Sequence, residues 1–285
     1  MDIEGRTAVV TGAASGIGLA IAGELIKRQC RVVIADWDGD GARKAAEALG
    51  ENADAVRFDA ADTASVEAMA EEVWRLTGGV DLIFANAGVS AGAPLLQAEA
   101  EALDWHINVN VRGVWATGKA FINRIIAEGR SGHFTITASE HSLGLQHAGA
   151  GFYTASKHAV LGLAEVLRAE LPETVGISVF CPGLVETRLH DAGRFGVLPP
   201  APEEMQAFAA AVMSRGMAPE AVAQAAVNGT ANGDFYIVTH PSAFAAAEKR
   251  FAEISQAFDD QAPMTEDARR YEVNAVIAEL LSDPS

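Results

Sequence analysis

Seven times along this chain a short apolar run, ended by a small or acidic residue, gives way to a longer run with helical striping. Short apolar runs bounded by turn residues are the pattern of strands buried on both faces. A strand that alternates with a helix returns parallel to its predecessor, because the crossover carries the chain back to the same edge. The fold class expected is therefore α/β, a doubly wound seven-stranded parallel sheet with helices on both faces and a helical C-terminal extension. The strand-like runs are residues 6–11, 31–35, 55–58, 80–85, 132–137, 176–180 and 235–239. They place one domain at 1–240, with a long loop at about 184–217. Two further helical runs, 243–258 and 266–281, form an extension over 241–285. A single helical run from about 99 to 128 contains Asn108, Asn110 and Gly113, which are costly in mid-helix and predict a kink or a freed carbonyl there.

Composition narrows the partners. The chain has 285 residues and is 49% hydrophobic, enough for one large core. Its formal net charge is −17 and its pI near 4.7, with no Lys/Arg cluster to offset them, which argues against a nucleic-acid partner. No apolar run reaches the length of a membrane span. Cys30 and Cys181 border apolar runs and read as buried free thiols of a reducing compartment. The N-terminus is acidic and runs straight into the first strand, so the expectation is a cytoplasmic protein. No His, Cys, Asp and Glu spacing suggests a metal site.

Chemistry begins at the first turn. The run 6–11 ends in Gly12-Ala13-Ala14-Ser15-Gly16-Ile17-Gly18 and enters an amphipathic helix. Strand, glycine turn and helix in that order form a phosphate site: the glycines admit a pyrophosphate to the backbone, and the helix start offers unpaired N–H groups. The second strand ends at Asp36, where a carboxylate binds ribose hydroxyls and repels a 2′-phosphate. Trp37 and Asp38 follow it and supply no arginine, so NAD is favoured over NADP. An acid at a strand end is equally a helix N-cap, and Asp36 alone does not decide between the two. Asp59, beside Ala60, either reaches the adenine edge or caps a turn. Asn86-Ala87-Gly88 is another strand end of small residues. Tyr153 and Lys157 stand one turn apart near the start of a helix running to about residue 171. An ammonium there can lower the phenol's pKa and make it a usable base, although such pairs also occur on plain solvated faces.

Taken together, these motifs resemble the short-chain dehydrogenase/reductase family of NAD-dependent Rossmann-fold oxidoreductases. The matching residues are Thr11, Gly12, Gly16 and Gly18, then Asn86-Ala87-Gly88, Asn110 with Gly113, Ser139, Tyr153 with Lys157, and Pro182-Gly183 with Thr187. They run in order from residue 6 to about 240. The resemblance implies that Tyr153 is the general acid/base, that Lys157 holds the nicotinamide ribose and keeps the phenol's pKa low, and that Ser139 hydrogen-bonds the substrate oxygen. It implies that Asn110 holds the helix kink and a proton-relaying water, and that Thr187 and the backbone near Val185 hold the carboxamide. The cofactor-binding set is then Gly12, Ser15, Gly16, Ile17, Gly18, Asp36, Trp37, Asp59, Ala60, Asn86, Ala87, Gly88, Tyr153, Lys157, Pro182, Gly183, Val185 and Thr187. By the same resemblance the chain forms a homodimer or homotetramer.

One departure from the family is a segment between Ser139 and Tyr153 about one residue longer than usual, in which Ser142 offers a second hydroxyl. Ser139, directly at the strand end, is the one expected to face the substrate. Candidate pocket residues are Glu140, His141, His147, Leu184 and Arg188. The two histidines could equally be surface or capping groups, and His158 reads as structural. Trp37 either flanks the adenine or covers the sheet edge, while Trp105, Trp115 and Phe121 read as core or interface. The presumed pocket stretches are rich in Leu, Val, Phe, Met and Pro, with Arg188 and Arg194 the cations before Arg215. A bulky apolar or aromatic secondary alcohol or ketone therefore fits better than a sugar. Two other readings share parts of this pattern, a sugar-nucleotide epimerase or dehydratase and a non-catalytic NAD sensor. The glycine spacing speaks against the first, and the complete Asn110, Ser139, Tyr153 and Lys157 set against the second.

Overall fold

The computed structural model describes residues 1–265 and 267–282. Packing divides the chain into two compact units, Met1–Ala243 and Phe244–Ser285. The first contains seven parallel strands: β1 (Thr7–Thr11), β2 (Arg31–Asp36), β3 (Ala53–Arg57), β4 (Leu82–Ala85), β5 (Gly132–Thr137), β6 (Val175–Cys181) and β7 (Tyr236–Val238). Their order across the sheet is β3-β2-β1-β4-β5-β6-β7. The Rossmann-type seven-stranded sheet expected from the alternation is what forms.

The pleat explains the layers. In β1, Val9 joins one core while its neighbours Ala8 and Val10 join the other, and β2 divides Val33 and Ala35 from Val32 and Ile34 in the same way. The first core is closed by α3 (Thr63–Thr77), α5 (Val114–Ala127) and α6 (Gly151–Glu170), through residues such as Met69, Phe121 and Val160. The second is closed by α1 (Gly16–Lys27), α2 (Gly39–Leu49) and α8 (Pro219–Asn232), through Ile21, Ala42 and Val222. Strands buried on both faces need apolar side chains at nearly every position, which is why the sequence shows runs and not alternation.

The run expected at 99–128 is three helical pieces. The α4 helix (Ala100–His106) passes into a π-helix (Ile107–Gly113) and then into α5. The π turn falls on Asn108, Asn110 and Gly113, the residues that marked the run as irregular. At its end, Gly113 lies so close to Ala60 that an added Cβ would stand 2.5 Å from the Ala60 carbonyl oxygen.

After β6 come a 3₁₀ turn (Ala192–Phe195) and α7 (Glu203–Met213), none of whose residues is buried. The second unit holds α9 (Phe244–Gln261), a 3₁₀ turn (Asp267–Tyr271) and α10 (Val273–Ser282). The helix expected at 266–281 starts at Glu266, which lies outside the described residues. From Asp267 the chain winds the 3₁₀ turn first and only then enters α10. Among the described residues no helix is long and apolar enough to cross a membrane.

Candidate active site

The chain builds outward from β1 through β2 to β3, then returns to place β4 on the other side of β1. At that reversal the loops leaving β1 and β4 diverge to opposite faces and open a crevice at the strands' C-terminal ends. A cavity of about 750 Å³ lies there, lined by the glycine turn, Asp36–Asp38, Asp59, Ala60, residues 86–89, Tyr153, Lys157, Pro182, Gly183, Val185 and the loop carrying Thr187, Arg188 and Arg194. Every expected cofactor-binding residue except Gly18 lines it.

Gly18 acts one layer below. A Cβ there would stand 2.3 Å from the Gly12 carbonyl oxygen, so only glycine lets α1 begin this close to β1. Gly12 itself has φ +66°, and a Cβ on it would meet the Ala87 Cα at 2.8 Å. Two strand ends are thus drawn together without side chains between them. The Thr11 hydroxyl accepts from the Asn86 and Ala87 N–H groups, both at 3.0 Å, and the Asn86 amide donates to the Thr11 carbonyl at 3.1 Å.

At the start of α1, Ser15 stands at the N-cap but its side chain caps no N–H group. The first helical bond is Leu19 N–H to the Ser15 carbonyl, 3.2 Å, so the turn before it keeps donors for an anion. The Asp36 carboxylate accepts from Ala14 N–H and from Asp38 N–H, each at 2.9 Å. The N-cap of α2 is Asp38, whose carboxylate accepts from Gly41 N–H at 2.9 Å. Asp36 is therefore not the cap; it ties the glycine turn to the β2 exit and presents its charge to the cavity. These residues fit a nicotinamide dinucleotide: a cradle without Cβ atoms, free N–H donors for a pyrophosphate, and a carboxylate at the ribose end.

At the other end stand Tyr153 and Lys157, the pair expected to handle the proton. Tyr153 and Lys157 project from one face of α6, with the Lys157 Nζ 5.7 Å from the Tyr153 ring centre. Lys157 donates to the Thr137 carbonyl at the end of β5, 2.8 Å. Burial pushes the phenol up to about 12 against a downward pull from the Ser139 hydroxyl beside it, and burial lowers the lysine to about 8. In the protein alone desolvation sets the direction, so the phenol is raised where a low value was expected. Asn110 is fully buried and makes three bonds, accepting from Val89 N–H (2.8 Å) and donating to the Val89 carbonyl and the Ser156 hydroxyl (both 2.9 Å).

In the segment after β5 the two hydroxyls have different neighbours. Ser139 stands beside the phenol, while Ser142 turns inward beside the Cys181 thiol. Their mutual capping winds a 3₁₀ turn at Glu140–Ser142. Cys30 and Cys181 are free and buried. His141 is 8% exposed, and its Nδ1 lies 2.7 Å from the Thr154 hydroxyl. Its ring stands edge-on to Tyr153 and packs against His147 at 5.1 Å. Burial holds His141 at about 4. Of the candidate pocket residues, Arg188 lines the cavity, whereas Glu140, His141, His147 and Leu184 do not.

Two histidines went unremarked in the sequence. His240, just past β7, accepts from Gly183 N–H (3.0 Å) and lies 2.9 Å from the Leu184 carbonyl through Nε2, latching the loop that borders the cavity. A polar residue beyond a parallel strand's C-terminal end was the available signal. His106, fully buried, accepts from Ala91 N–H (3.1 Å) and holds the Ala102 carbonyl through Nδ1 (2.6 Å), fixing the β4 exit. Nothing local marks it, since Ala91 lies fifteen residues away. Phe121 is core, Trp115 is exposed, and Trp105 lines the cavity with Trp37.

A family model described as short chain dehydrogenase matches residues 6–194. The chain is 41% identical over 193 residues to a 1-deoxy-11-beta-hydroxypentalenate dehydrogenase of Streptomyces exfoliatus, covering 66% of this chain and 70% of that protein. It is 31% identical to the C alpha-dehydrogenase of Sphingobium sp. (strain NBRC 103272 / SYK-6), covering 97% and 94%. A crystal structure of a short chain dehydrogenase/reductase from Burkholderia phymatum in complex with NAD superimposes with a TM-score of 0.84 at 31% identity, over 93% of this chain and 99% of that one.

Proposed function

Because this chain belongs to the short-chain dehydrogenase/reductase family, an oxidoreductase family interconverting alcohols and ketones with a nicotinamide cofactor, we propose that it uses NAD to act on a fairly bulky, mostly apolar secondary alcohol or its ketone. The observation that carries the reading is convergence. Tyr153 and Lys157 line the same cavity as the glycine turn, with Ser139 beside the phenol. In this reading residues 1–240 form the NAD-binding catalytic domain and 241–285 an extension outside it.

A nicotinamide cofactor held by the residues lining this cavity would supply or take up the hydride, and its oxidised form would bring a positive charge to the site. The rest falls to the protein. Tyr153 Oη gives a proton to the carbonyl oxygen in reduction and removes one from the hydroxyl in oxidation. Ser139 donates to that oxygen as charge develops on it. Held near 12, the phenol keeps its proton at neutral pH and is a weaker acid than a free tyrosine; positive charge beside it would lower that value and serve both directions. Lys157, held between the Thr137 carbonyl and the cavity, orients the ribose, and Asn110 keeps the π turn and the β4 exit in place. NAD preference rests on Asp36, whose carboxylate faces the position a 2′-phosphate would take. The bulky apolar substrate rests on Leu189, Val197 and Met213 along the cavity wall, and a relative named for a hydroxypentalenate agrees with an alcohol substrate.

Initial rates across secondary alcohols from small aliphatic to diaryl, with NAD and NADP side by side, test both parts. Turnover of bulky alcohols with NAD is expected. A preference for NADP defeats the Asp36 argument, and a preference for small polar alcohols defeats the pocket argument.

A further inference from the structure

An acidic cleft has to receive a dinucleotide that carries two phosphates. Of the three cations on the cavity wall, Lys157 is committed to the Thr137 carbonyl, and Arg188 pairs with Asp191 at 2.6 Å. Arg194 is different: among the described residues it forms no ion pair within 4 Å, and its one side-chain hydrogen bond goes to the Arg188 carbonyl, 2.9 Å.

Its place is held by aromatic packing. The guanidinium lies over the Phe195 ring at 4.5 Å. Phe195 in turn is wedged edge-on between Trp37, at 5.7 Å, and Trp105, at 5.5 Å. Trp37 follows β2 and Trp105 belongs to α4, so the wedge ties the Ala192–Phe195 turn to both sides of the cleft. Arg194 thereby lines the same cavity as the glycine turn, within electrostatic reach of Asp191 and Asp36. A delocalised, planar cation stacked on an aromatic ring and lacking a carboxylate is suited to a phosphate oxygen.

We propose that Arg194 is a cofactor-gripping residue that takes a phosphate oxygen of the dinucleotide from the open side of the cleft, with Phe195 between Trp37 and Trp105 as the wedge that positions it. This assignment rests on the dinucleotide reading above. The phosphate belongs either to the pyrophosphate, common to both cofactors, or to the 2′-phosphate of NADP. Asp36 favours the pyrophosphate.

The experiment is equilibrium binding of NADH and NADPH, followed by cofactor fluorescence, to the native chain, Arg194→Gln and Arg194→Lys, with adenosine as a phosphate-free competitor. Arg194→Gln is expected to weaken both cofactors about tenfold, the size of one charge-assisted bond. Arg194→Lys should recover part of the loss, adenosine affinity should be unchanged, and the melting temperature without cofactor should stay that of the native chain. A loss confined to NADPH also supports the grip and moves it to the 2′-phosphate. Equal binding by the native chain and Arg194→Gln overturns the assignment and leaves the dinucleotide reading intact. Failure of the native chain to bind either cofactor overturns both. Phe195→Ala, expected to reproduce the loss and to abolish any change in tryptophan fluorescence on NADH binding, tests the wedge. Unaltered NADH affinity in that variant removes Phe195 from the proposal.

Discussion

Asn110 holds both backbone groups of Val89: its Oδ1 accepts from the Val89 N–H at 2.8 Å, and its Nδ2 donates to the Val89 carbonyl at 2.9 Å. One amide side chain thus does for the β4 exit what a neighbouring strand would do. The same Nδ2 reaches Ser156 on α6, next to Lys157. The π-helix that interrupts the α4–α5 run is what carries Asn110 into this position, so an irregular turn of helix connects the β4 exit to the helix that carries Tyr153 and Lys157.

Asn110→Ala leaves the Val89 N–H and carbonyl unpaired in a dry interior. A loss of roughly 2–6 kcal/mol of folding stability is expected, from about 1–3 kcal/mol for each of the two unsatisfied groups. Chemical denaturation measures it. A change below about 0.5 kcal/mol would show that water replaces the amide.

Tyr153→Phe keeps the ring that His141 packs against and removes only the hydroxyl. The expected fall in kcat/KM is on the order of 10²–10⁴, the range of general acid–base catalysis, with NADH affinity unchanged. Retained turnover would mean that another group moves the proton.

Asp36→Ser removes the charge facing the ribose end and two acceptors, those for Ala14 N–H and Asp38 N–H. The ratio of kcat/KM for NAD over NADP is expected to fall by at least about tenfold, the effect of one lost charged contact. If the ratio stays put, discrimination resides elsewhere in the cleft.

Gly18→Ala would place a Cβ 2.3 Å from the Gly12 carbonyl oxygen and 2.7 Å from the Asn86 amide nitrogen. Because the first of these is backbone, α1 must shift, at a cost of about 1–3 kcal/mol, and cofactor binding should weaken with it. A variant that melts and binds as the native chain does would contradict the close packing of β1 and α1.

Acid should destabilise the fold above the carboxylate range. His133, buried with its Nε2 2.7 Å from the Ser178 hydroxyl, and His141 are both held at about 4 by burial, against an ordinary 6.5. The unfolded chain takes up protons below 6.5 that the folded chain refuses until about 4. Their stabilising effect is therefore complete above that upper value and is lost as the pH falls toward 4, by roughly 3 kcal/mol per group. Melting temperatures between pH 7 and 4 test this, with His133→Gln expected to show a shallower decline. Equal slopes in the two proteins would refute the role of His133.

Periodicity and motif order determined the sheet, because a buried parallel strand and a covering helix each demand a pattern that stands out within a few residues. Glycines that draw backbones together are legible for the same reason: their neighbours along the chain already require the turn. The residues lining the crevice, from Gly12 to Thr187, could be placed because they end strands, and strand ends in such a sheet converge.

Tertiary structure decided what depends on residues distant in the chain. Whether Ser139 or Ser142 faces Tyr153 was set by a 3₁₀ turn that no spacing rule encodes. The direction of the Tyr153 shift follows from desolvation, and burial is a property of the packed site. Trp105 belongs to the core as read and no arginine stood near Asp36 in sequence, yet folding also packs Phe195 on Trp37 and Trp105 and brings Arg194 into the same cleft. Local pattern determines elements because hydrogen bonding and side-chain periodicity act over a few residues. A site draws its fields and contacts from whatever folding brings within a few ångströms, and that only the packed chain decides.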